Sequence, residues 1–429
     1  MKNALDYCVE VLRQKNIEKF QCSLEKTNQY EMNLEGTQFS LIRTTTDNTL
    51  SITVIQDSRK GQISLNRLDK ESIVEAVDTV IDLSSTSQQD PDYDISPYQE
   101  PDKFSAGPLE PDPERMYELL KEFTRQVPEL FPVIKLMETT LVHRHVQGKF
   151  INSNGVDFET EQGVYNLTSL FSSKDGEKTT SFNYTGFAMK DLEKSLLNRG
   201  SLQSLLRQSV EHLEAQPFRG KFVGDLLFTP ECLHDFLYYY TRTFMGDGAL
   251  ISGTSPFKNR LGEQVANAKF TLSAEPLSPA LAEGYFITDE GFAAENVTLI
   301  EQGVLKSFLL SQYGSKKTGL ERAKNQGGCW IVEPGQKNLE EMISQVERGL
   351  MIARFSGGNP SPNGDFSGVA KNSYYIENGK IMYPVTETMV SGNLAEVFQN
   401  IKEISSERID NGLALLPYLL TTGVNVSGK

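Results

Sequence analysis

The histidine and carboxylate in ECLHDFLYYYTRTF, residues 231–244, come closest to metal chemistry by type and spacing. The preceding Thr229-Pro230 predicts a helix start, with a hydroxyl for the N-cap and proline at the first helical position. Apolar residues then recur at helical spacing, which places His234 on the border of the buried stripe. The stripe consists of Leu233, Phe236, Leu237, Tyr240 and Phe244.

A hydrolytic zinc site needs two imidazoles that reach one ion, and a carboxylate that takes a proton from the metal-bound water. In the HExxH pattern the two histidines stand four residues apart on one helix face. Here position 238 is tyrosine, and Asp235 is one methylene shorter than glutamate. The spacing therefore argues against a working zinc site on this helix.

The other histidines give weaker signals. His143 and His145 share a face if 143–145 is a strand, and two such imidazoles can bind a metal. No carboxylate or thiolate ligand stands out beside them, which favours ordinary residues on a half-exposed sheet. His212 lies between Glu211 and Glu214 and is predicted to occupy a solvated edge. The four cysteines are far apart and form no CxxC pair, which predicts reduced thiols.

The amino-acid composition argues against several classes of function. The 42 basic and 57 acidic residues give a net charge of −15, which disfavours direct nucleic-acid binding. No window approaches the ~18 apolar residues of a transmembrane helix. Asp6 and Glu10 interrupt the apolar run that a signal peptide requires, so we expect a cytoplasmic protein without membrane attachment.

The length of 429 residues predicts two or three domains. Residues 4–15 form a helical stripe, an antiparallel β region follows, and Asp69 is placed to cap a second helix. The proline-rich stretch 85–112 predicts a boundary, which gives an amino-terminal α/β domain over 1–105.

Asp112-Pro113 predicts the start of the next helix, and Asn154-Gly155 and Asp175-Gly176 predict hairpin turns. Residues 106–217 are therefore a hairpin-and-helix region, which alternatively packs with 1–105 as one domain. Residues 218–429 are predicted to be β-rich, with a helix over 338–350. The expected fold class is α+β: a helix–antiparallel sheet domain, a β-hairpin middle region and a large β-rich carboxy-terminal domain.

The second half contains an ordered series of recognisable segments. It runs through GTSPFKNRLGEQVAN (253–267), ITDEGFAAENVTLIEQGVLKSFLLSQYGSKKTG (287–319), VEPGQKNLEEMISQVERGLMI (332–352) and NGDFSGVAKNSYYIENGKIMYPVTETMVSGNLAEVFQNI (363–401). In the order and spacing of these segments the chain resembles the TldD/PmbA family, once named for modulation of DNA gyrase. In the TldD branch, a helix just upstream of the GTSPF-like segment carries HExxxH, and a cysteine near the C-terminus completes the zinc site.

If His234 matches the first of those histidines, Asp235 replaces the glutamate and Tyr239 replaces the second histidine. No cysteine follows Cys329. The chain therefore resembles the PmbA (TldE-type) branch, which lacks the metal site. The resemblance implies no catalytic or metal-binding residue here, with zinc expected only in a TldD-type partner subunit. It also implies a metalloprotease complex acting on unfolded polypeptides or peptide precursors.

The chain would then help to bind the substrate, and residues of the family segments are candidates for the substrate cleft: Gly253, Ser255, Phe257, Glu263, Asp289, Glu290 and Gly291. Two alternatives stay open. One is a homodimeric peptide-binding or regulatory protein without protease activity. The other is an autonomous metallopeptidase with atypical ligands, such as His143 with His145, or His234 with acids.

Overall fold

In the computed structural model, which describes residues 2–386 and 388–428, four antiparallel strands of unusual length run through the amino-terminal half. Its strands are β1 (Lys19–Glu35), β2 (Gln38–Gln56), β3 (Arg59–Leu65), β4 (Asp102–Ala106), β5 (Ile134–Asn152), β6 (Asp157–Asp175), β7 (Lys178–Thr179) and β8 (Asn183–Met189). Its α-helices are α1 (Lys2–Gln14), α2 (Lys70–Thr86), α3 (Pro113–Leu130) and α4 (Leu202–Glu211), with 3-10 turns at Leu196–Asn198 and His212–Glu214.

These strands form one sheet in the order β3-β2-β1-β5-β6-β4, with β7 and β8 also paired to β6. Only even-numbered residues of β1 enter the two cores beneath it, because side chains alternate between the faces of a strand. Phe20, Cys22 and Leu24 pack against α1 and α2, whereas Met32 and Leu34 pack against α3 and α4. The helices therefore cover the two ends of the same sheet face.

Local capping chemistry fixes the two helix starts that the sequence predicts. The Asp69 side chain accepts a hydrogen bond from Ser72 N at 2.9 Å, and Asp112 accepts one from Arg115 N at 3.0 Å. Asn154-Gly155 lies in the tight turn between β5 and β6, where Gly155 has φ +94°. These predictions are confirmed.

The carboxy-terminal half builds a second sheet that mixes parallel and antiparallel pairs. Its strands are β9 (Gln216–Pro217), β10 (Lys221–Phe228), β11 (Leu272–Ala274), β12 (Val297–Glu301), β13 (Val304–Leu305), β14 (Trp330–Val332), β15 (Arg348–Ile352), β16 (Arg354–Gly357), β17 (Asp365–Lys371), β18 (Ser373–Glu377), β19 (Lys380–Thr386), β20 (Thr388–Asn393), β21 (Ile401–Asp410) and β22 (Leu415–Ser427). Its helices are α5 (Pro230–Phe244), α6 (Asp247–Ile251), α7 (Gln312–Thr318), α8 (Leu339–Ile343) and α9 (Leu394–Gln399).

The predicted helix over 338–350 is wrong in its second half. Asn338 caps α8 through a capping box, but the helix ends at Ile343 and the chain then enters β15. Leu350 and Ile352 are buried between β10 and β18, because a strand inside such a sheet is covered on both faces. The apolar pattern that predicted a single helix therefore spans both α8 and the start of β15.

The proline-rich stretch 85–112 is not a free linker. Residues 102–106 form β4, which pairs in parallel with β6. The acidic segment 90–94 contacts α7 instead: Lys317 pairs with Asp90 at 2.8 Å and with Asp92 at 2.9 Å, and Lys316 pairs with Asp94 at 2.6 Å. The stretch therefore joins the two halves, and the domain limits 1–105, 106–217 and 218–429 stay predictions.

Asp94 should make this junction sensitive to acid. Desolvation works to raise the pKa of Asp94, but the ammonium groups of Lys19 and Lys316 and the N–H of Ile95 outweigh it and lower the pKa to about 2. A carboxylate with a depressed folded pKa stabilises above its unfolded pKa of about 3.9, and the contribution is lost as pH falls through the folded pKa.

We therefore expect the stability difference between wild type and Asp94→Asn to be full at pH 5 and to shrink progressively as the pH falls towards 2. Thermal unfolding across this range measures it. Asp82→Asn, an exposed acid of α2, serves as the control and should leave the unfolding temperature nearly unchanged throughout. If the stability difference between wild type and Asp94→Asn stays constant from pH 5 to pH 2, the assignment of the acid sensitivity to Asp94 is wrong.

Among the described residues, no helix combines the length and the apolar character that crossing a bilayer requires.

Candidate functional site

Helix α5 is held at its start by the strands of the second sheet. Thr229 N donates to Ile352 O at 3.0 Å, and Pro230 occupies the first helical turn. The predicted buried stripe is confirmed, since all its members are buried: Leu233, Phe236, Leu237, Tyr240 and Phe244. The predicted Thr229 cap is wrong, because this hydroxyl is buried and makes no hydrogen bond with the described residues.

His234 lies half-buried on the border of this stripe, as the spacing predicts. Desolvation lowers the pKa of His234, and the nearby Asp235 carboxylate opposes that shift only in part. The imidazole is therefore neutral at pH 7, the form that could bind a metal.

Asp235 is solvent accessible, yet protein atoms around it displace enough water to raise its pKa. Its charge interactions with His234 and Arg354 oppose this shift, and that with Glu231 adds to it. Tyr239 is half-buried beside Phe236, with ring centroids 6.2 Å apart, and desolvation raises its pKa above that of a free phenol. Tyr239 is therefore protonated at pH 7 and offers no anionic oxygen.

This donor set does not fit a catalytic zinc ion. Zinc in hydrolases is held by three protein ligands, drawn from neutral imidazoles, carboxylates and thiolates. Here α5 supplies one imidazole, the carboxylates of Glu231 and Asp235, the fully buried thiol of Cys232 and the protonated phenol of Tyr239. Within the part of the chain that the structure describes, no three His, Cys, Asp or Glu side chains are grouped closely enough to hold a metal.

The remaining histidines are engaged elsewhere. His143 Nε2 donates to Pro108 O at 2.7 Å, and His145 Nε2 donates to Glu161 Oε1 at 3.0 Å. Sequence reasoning missed Glu161, because the pairing of β5 with β6 brings this carboxylate next to His145 from a distant position.

The prediction that His212 lies on a solvated edge is wrong. Its Nδ1 donates to Gln208 O at 2.8 Å, and its ring packs edge-on against Tyr374 at 5.0 Å. Desolvation accordingly lowers the pKa of His212.

The predicted cleft residues fall into two groups, and the first comprises Gly253, Ser255, Phe257 and Glu263. Ser255 and Phe257 brace the end of α5. Ser255 Oγ donates to Phe244 O at 2.6 Å and accepts from Phe257 N at 3.0 Å, while the Phe257 ring packs 4.6 Å from that of Phe244. Gly253 is exposed with φ +72°, and Glu263 pairs with Arg260 at 3.2 Å on the surface. Ser255 and Phe257 are buried, so in this structure they hold α5; a substrate role for the group stays a prediction.

The second group, which comprises Asp289, Glu290 and Gly291, lies where the two halves meet. Gly291 O accepts from Ser96 Oγ at 3.1 Å and from Gln99 Nε2 at 2.8 Å, which ties this turn to the amino-terminal half. Glu290 Oε2 accepts from Gln312 N at 2.8 Å, and desolvation raises the Glu290 pKa. Asp289 N donates to Gln326 Oε1 at 2.9 Å. Contact of these three residues with a substrate stays a prediction.

Strand β16 is the element beside α5 that sequence reasoning did not single out. Phe355 of β16 packs 5.3 Å from Phe236, and among the described strands β16 pairs only with β17. A strand with one unpaired side offers backbone N–H and C=O groups to an extended chain. A Cβ added to Gly357 or to Gly368 would lie 2.5 Å from the Phe355 ring, so the packing of this ring leaves no room for a side chain at either position.

Removing the Tyr240 hydroxyl should stabilise the protein. The ring is fully buried among Phe244, Phe257 and Phe398, and the hydroxyl has no partner among the described residues. A buried unsatisfied hydroxyl costs free energy, so we expect Tyr240→Phe to raise the free energy of unfolding by about 1 kcal/mol in urea titrations.

Tyr374→Phe is the matched control. That hydroxyl donates to Glu211 Oε2 at 2.5 Å, so its loss should lower the free energy of unfolding by about 1–2 kcal/mol. If Tyr240→Phe lowers the free energy of unfolding as Tyr374→Phe does, the assignment of Tyr240 fails.

Comparison with known proteins shows which family and which relatives this chain is similar to. Residues 221–428 match the family model described as the PmbA/TldA metallopeptidase C-terminal domain. The metalloprotease PmbA of Escherichia coli O157:H7 is 26% identical over 399 residues, covering 88% of this chain and 86% of the relative. The metalloprotease PmbA homologue of Haemophilus influenzae is 23% identical and covers 99% and 96% of the two chains.

Solved structures show the same fold. TldE from Thermococcus kodakarensis superposes with a TM-score of 0.81 at 20% identity, covering 100% of both chains. A candidate modulator of DNA gyrase from Bacteroides thetaiotaomicron gives a TM-score of 0.87 at 21% identity, covering 100% of this chain and 99% of the other. The predicted α+β fold class is confirmed.

Proposed function

We propose that this chain is the non-catalytic, PmbA/TldE-type subunit of a zinc protease. The family resemblance inferred from the sequence, which the match of residues 221–428 to the family model confirms, supports this proposal. The catalytic ion would be bound by a TldD-type partner carrying the HExxxH motif. The substrates would be unfolded polypeptides or peptide precursors.

The donor set of α5 is the observation that carries this proposal. The helix has its predicted proline start and buried stripe, which supports a correspondence with the zinc-binding helix of the TldD branch. In this correspondence Asp235 would stand for the glutamate, and the protonated Tyr239 would stand for the second histidine. A chain that retains the scaffold without the ligands is suited to complete a shared substrate chamber.

The free side of β16 supports a role in holding the substrate. Extended peptides bind to open sheet edges through backbone hydrogen bonds, which suits substrates of varied sequence. In this proposal an unfolded polypeptide would pair with β16 beside α5 and be presented to the partner's zinc.

Reconstitution with a TldD-type subunit tests the proposal. Neither this chain alone nor the partner alone should hydrolyse a denatured polypeptide efficiently, and the equimolar mixture should gain activity. Changing the glutamate of the partner's HExxxH motif to glutamine should abolish that activity. His234→Ala in this chain should leave the zinc content of the mixture unchanged.

Two outcomes would favour the alternatives. Peptide binding by a self-associated chain, with no gain from any TldD-type partner, would indicate a homodimeric peptide-binding protein. Hydrolysis by the isolated chain that disappears in His234→Ala or His143→Ala would indicate an autonomous metallopeptidase.

A further inference from the structure

Two buried thiols meet between the first helix and the first strand. Cys8 Sγ of α1 and Cys22 Sγ of β1 lie 3.9 Å apart, and both residues are 0% exposed. All four cysteines of the chain are free thiols in this structure. The Cys8–Cys22 contact belongs neither to the α5 site nor to the junction between the two halves.

The packing holds the two sulfur atoms facing each other. Cys8 lies on the inward stripe of α1 with Leu5 and Leu12, and Cys22 lies between Phe20 and Leu24 on the inward face of β1. A disulfide needs the sulfur atoms to approach to about 2 Å, so each side chain must move by only about 1 Å. The amphipathic helix and the strand alternation therefore place both thiols close to bonding distance.

We propose that Cys8 and Cys22 are a redox modification site, at which a low-molecular-weight disulfide such as oxidised glutathione converts the thiol pair into an intramolecular disulfide that staples α1 to β1. One thiol loses its proton and attacks the oxidant, whose S–S bond breaks and releases one glutathione thiolate. The second thiol, also deprotonated, then displaces the second glutathione as the Cys8–Cys22 bond forms. Two protons pass to the two released thiolates, which balances the reaction.

The burial of the pair determines how the reaction proceeds. The hydrogen bond with Cys8 and burial raise the pKa of the Cys22 thiol, so attack requires transient separation of α1 from the sheet. Once formed, the bond closes a short loop and restricts the unfolded chain, which favours the docked helix. The staple would therefore form slowly and then slow the local opening of α1.

Cys232 provides an internal control. It is 0% exposed on the buried side of α5, and it contacts no other thiol among the described residues. Cys329 is only partly buried, so it should react with the bulky oxidant before the buried thiols do. A Cys329→Ser background removes that side reaction.

The experiment incubates native Cys329→Ser protein with oxidised glutathione and follows intact mass and peptide maps. We expect a loss of about 2 Da, a single cross-linked peptide pair containing Cys8 and Cys22, reversal by reductant, and Cys232 still free. Hydrogen exchange in α1 should be slower in the oxidised protein. Cys8→Ala should abolish both the mass loss and the slowing.

The proposal is overturned if the native protein reaches equilibrium with the oxidant without a Cys8–Cys22 peptide. Separate glutathione adducts on the two residues would overturn it equally, because they would show that the thiols react independently. A cross-link without slower exchange in α1 would refute the stapling role. Since the wild-type Cys8 and Cys22 are mapped directly, the result does not depend on the folding of the Cys8→Ala variant.

Discussion

Replacing Phe236 with alanine is expected to lower the free energy of unfolding by about 3–5 kcal/mol. Phe236 is fully buried, and its ring lies 4.7 Å from Phe228, 5.1 Å from Phe366 and 5.3 Å from Phe355. Removing it opens a cavity between α5 and three strands, where several aromatic neighbours cannot all move in to fill the space. The same change should loosen β16, since Phe355 loses its packing partner.

Tyr238→Ala is the matched control because it removes an aromatic ring from the same helix. Tyr238 is 48% exposed, so its loss should change the free energy of unfolding by about 0.5 kcal/mol or less. Urea unfolding followed by circular dichroism measures both variants. Equal losses in the two variants would show that α5 is not anchored through Phe236.

Replacing Gly291 with alanine is expected to cost about 2–4 kcal/mol and to loosen the junction between the two halves. The residue has φ +77°, and a Cβ there would lie 2.1 Å from the ring of Phe150. The Phe150 ring is buried with Val156 and Phe158, so it cannot move away freely. The turn would have to shift, and the hydrogen bonds that Gly291 O accepts from Ser96 and Gln99 would weaken.

Gly262→Ala separates the two contributions. Its φ is +83°, but no atom lies within 4 Å of the added Cβ, so this control measures the backbone strain alone at about 1 kcal/mol. Calorimetry gives the stability change, and hydrogen exchange at residues 95–99 reports the junction. If Gly291→Ala costs no more than Gly262→Ala, contact with Phe150 does not restrict this turn.

Local chemistry accounts for what the sequence predicted correctly. Asp69 and Asp112 act on backbone groups three residues away, and Asn154-Gly155 determines its own turn. The inward stripe of α5 follows from helical spacing, which also placed His234 at its border. Each of these features is decided within a few neighbouring residues, so one sequence contains the necessary information.

What could not be predicted depends on distant partners. The end of α8 is set by the sheet that receives β15. The apolar spacing of residues 338–350 alone predicts a longer helix. Asp94 and Lys316 are separated by 222 positions, and no local pattern pairs them. The open side of β16 is a property of the sheet as a whole.

The zinc content of this chain, purified alone and together with a TldD-type partner, tests the central claim most directly. Metal analysis by mass spectrometry should find no stoichiometric zinc in the isolated chain and one zinc per pair in the mixture. His234→Ala should change neither value. One tightly bound zinc per isolated chain, lost in His234→Ala and accompanied by hydrolysis without a partner, would contradict the account.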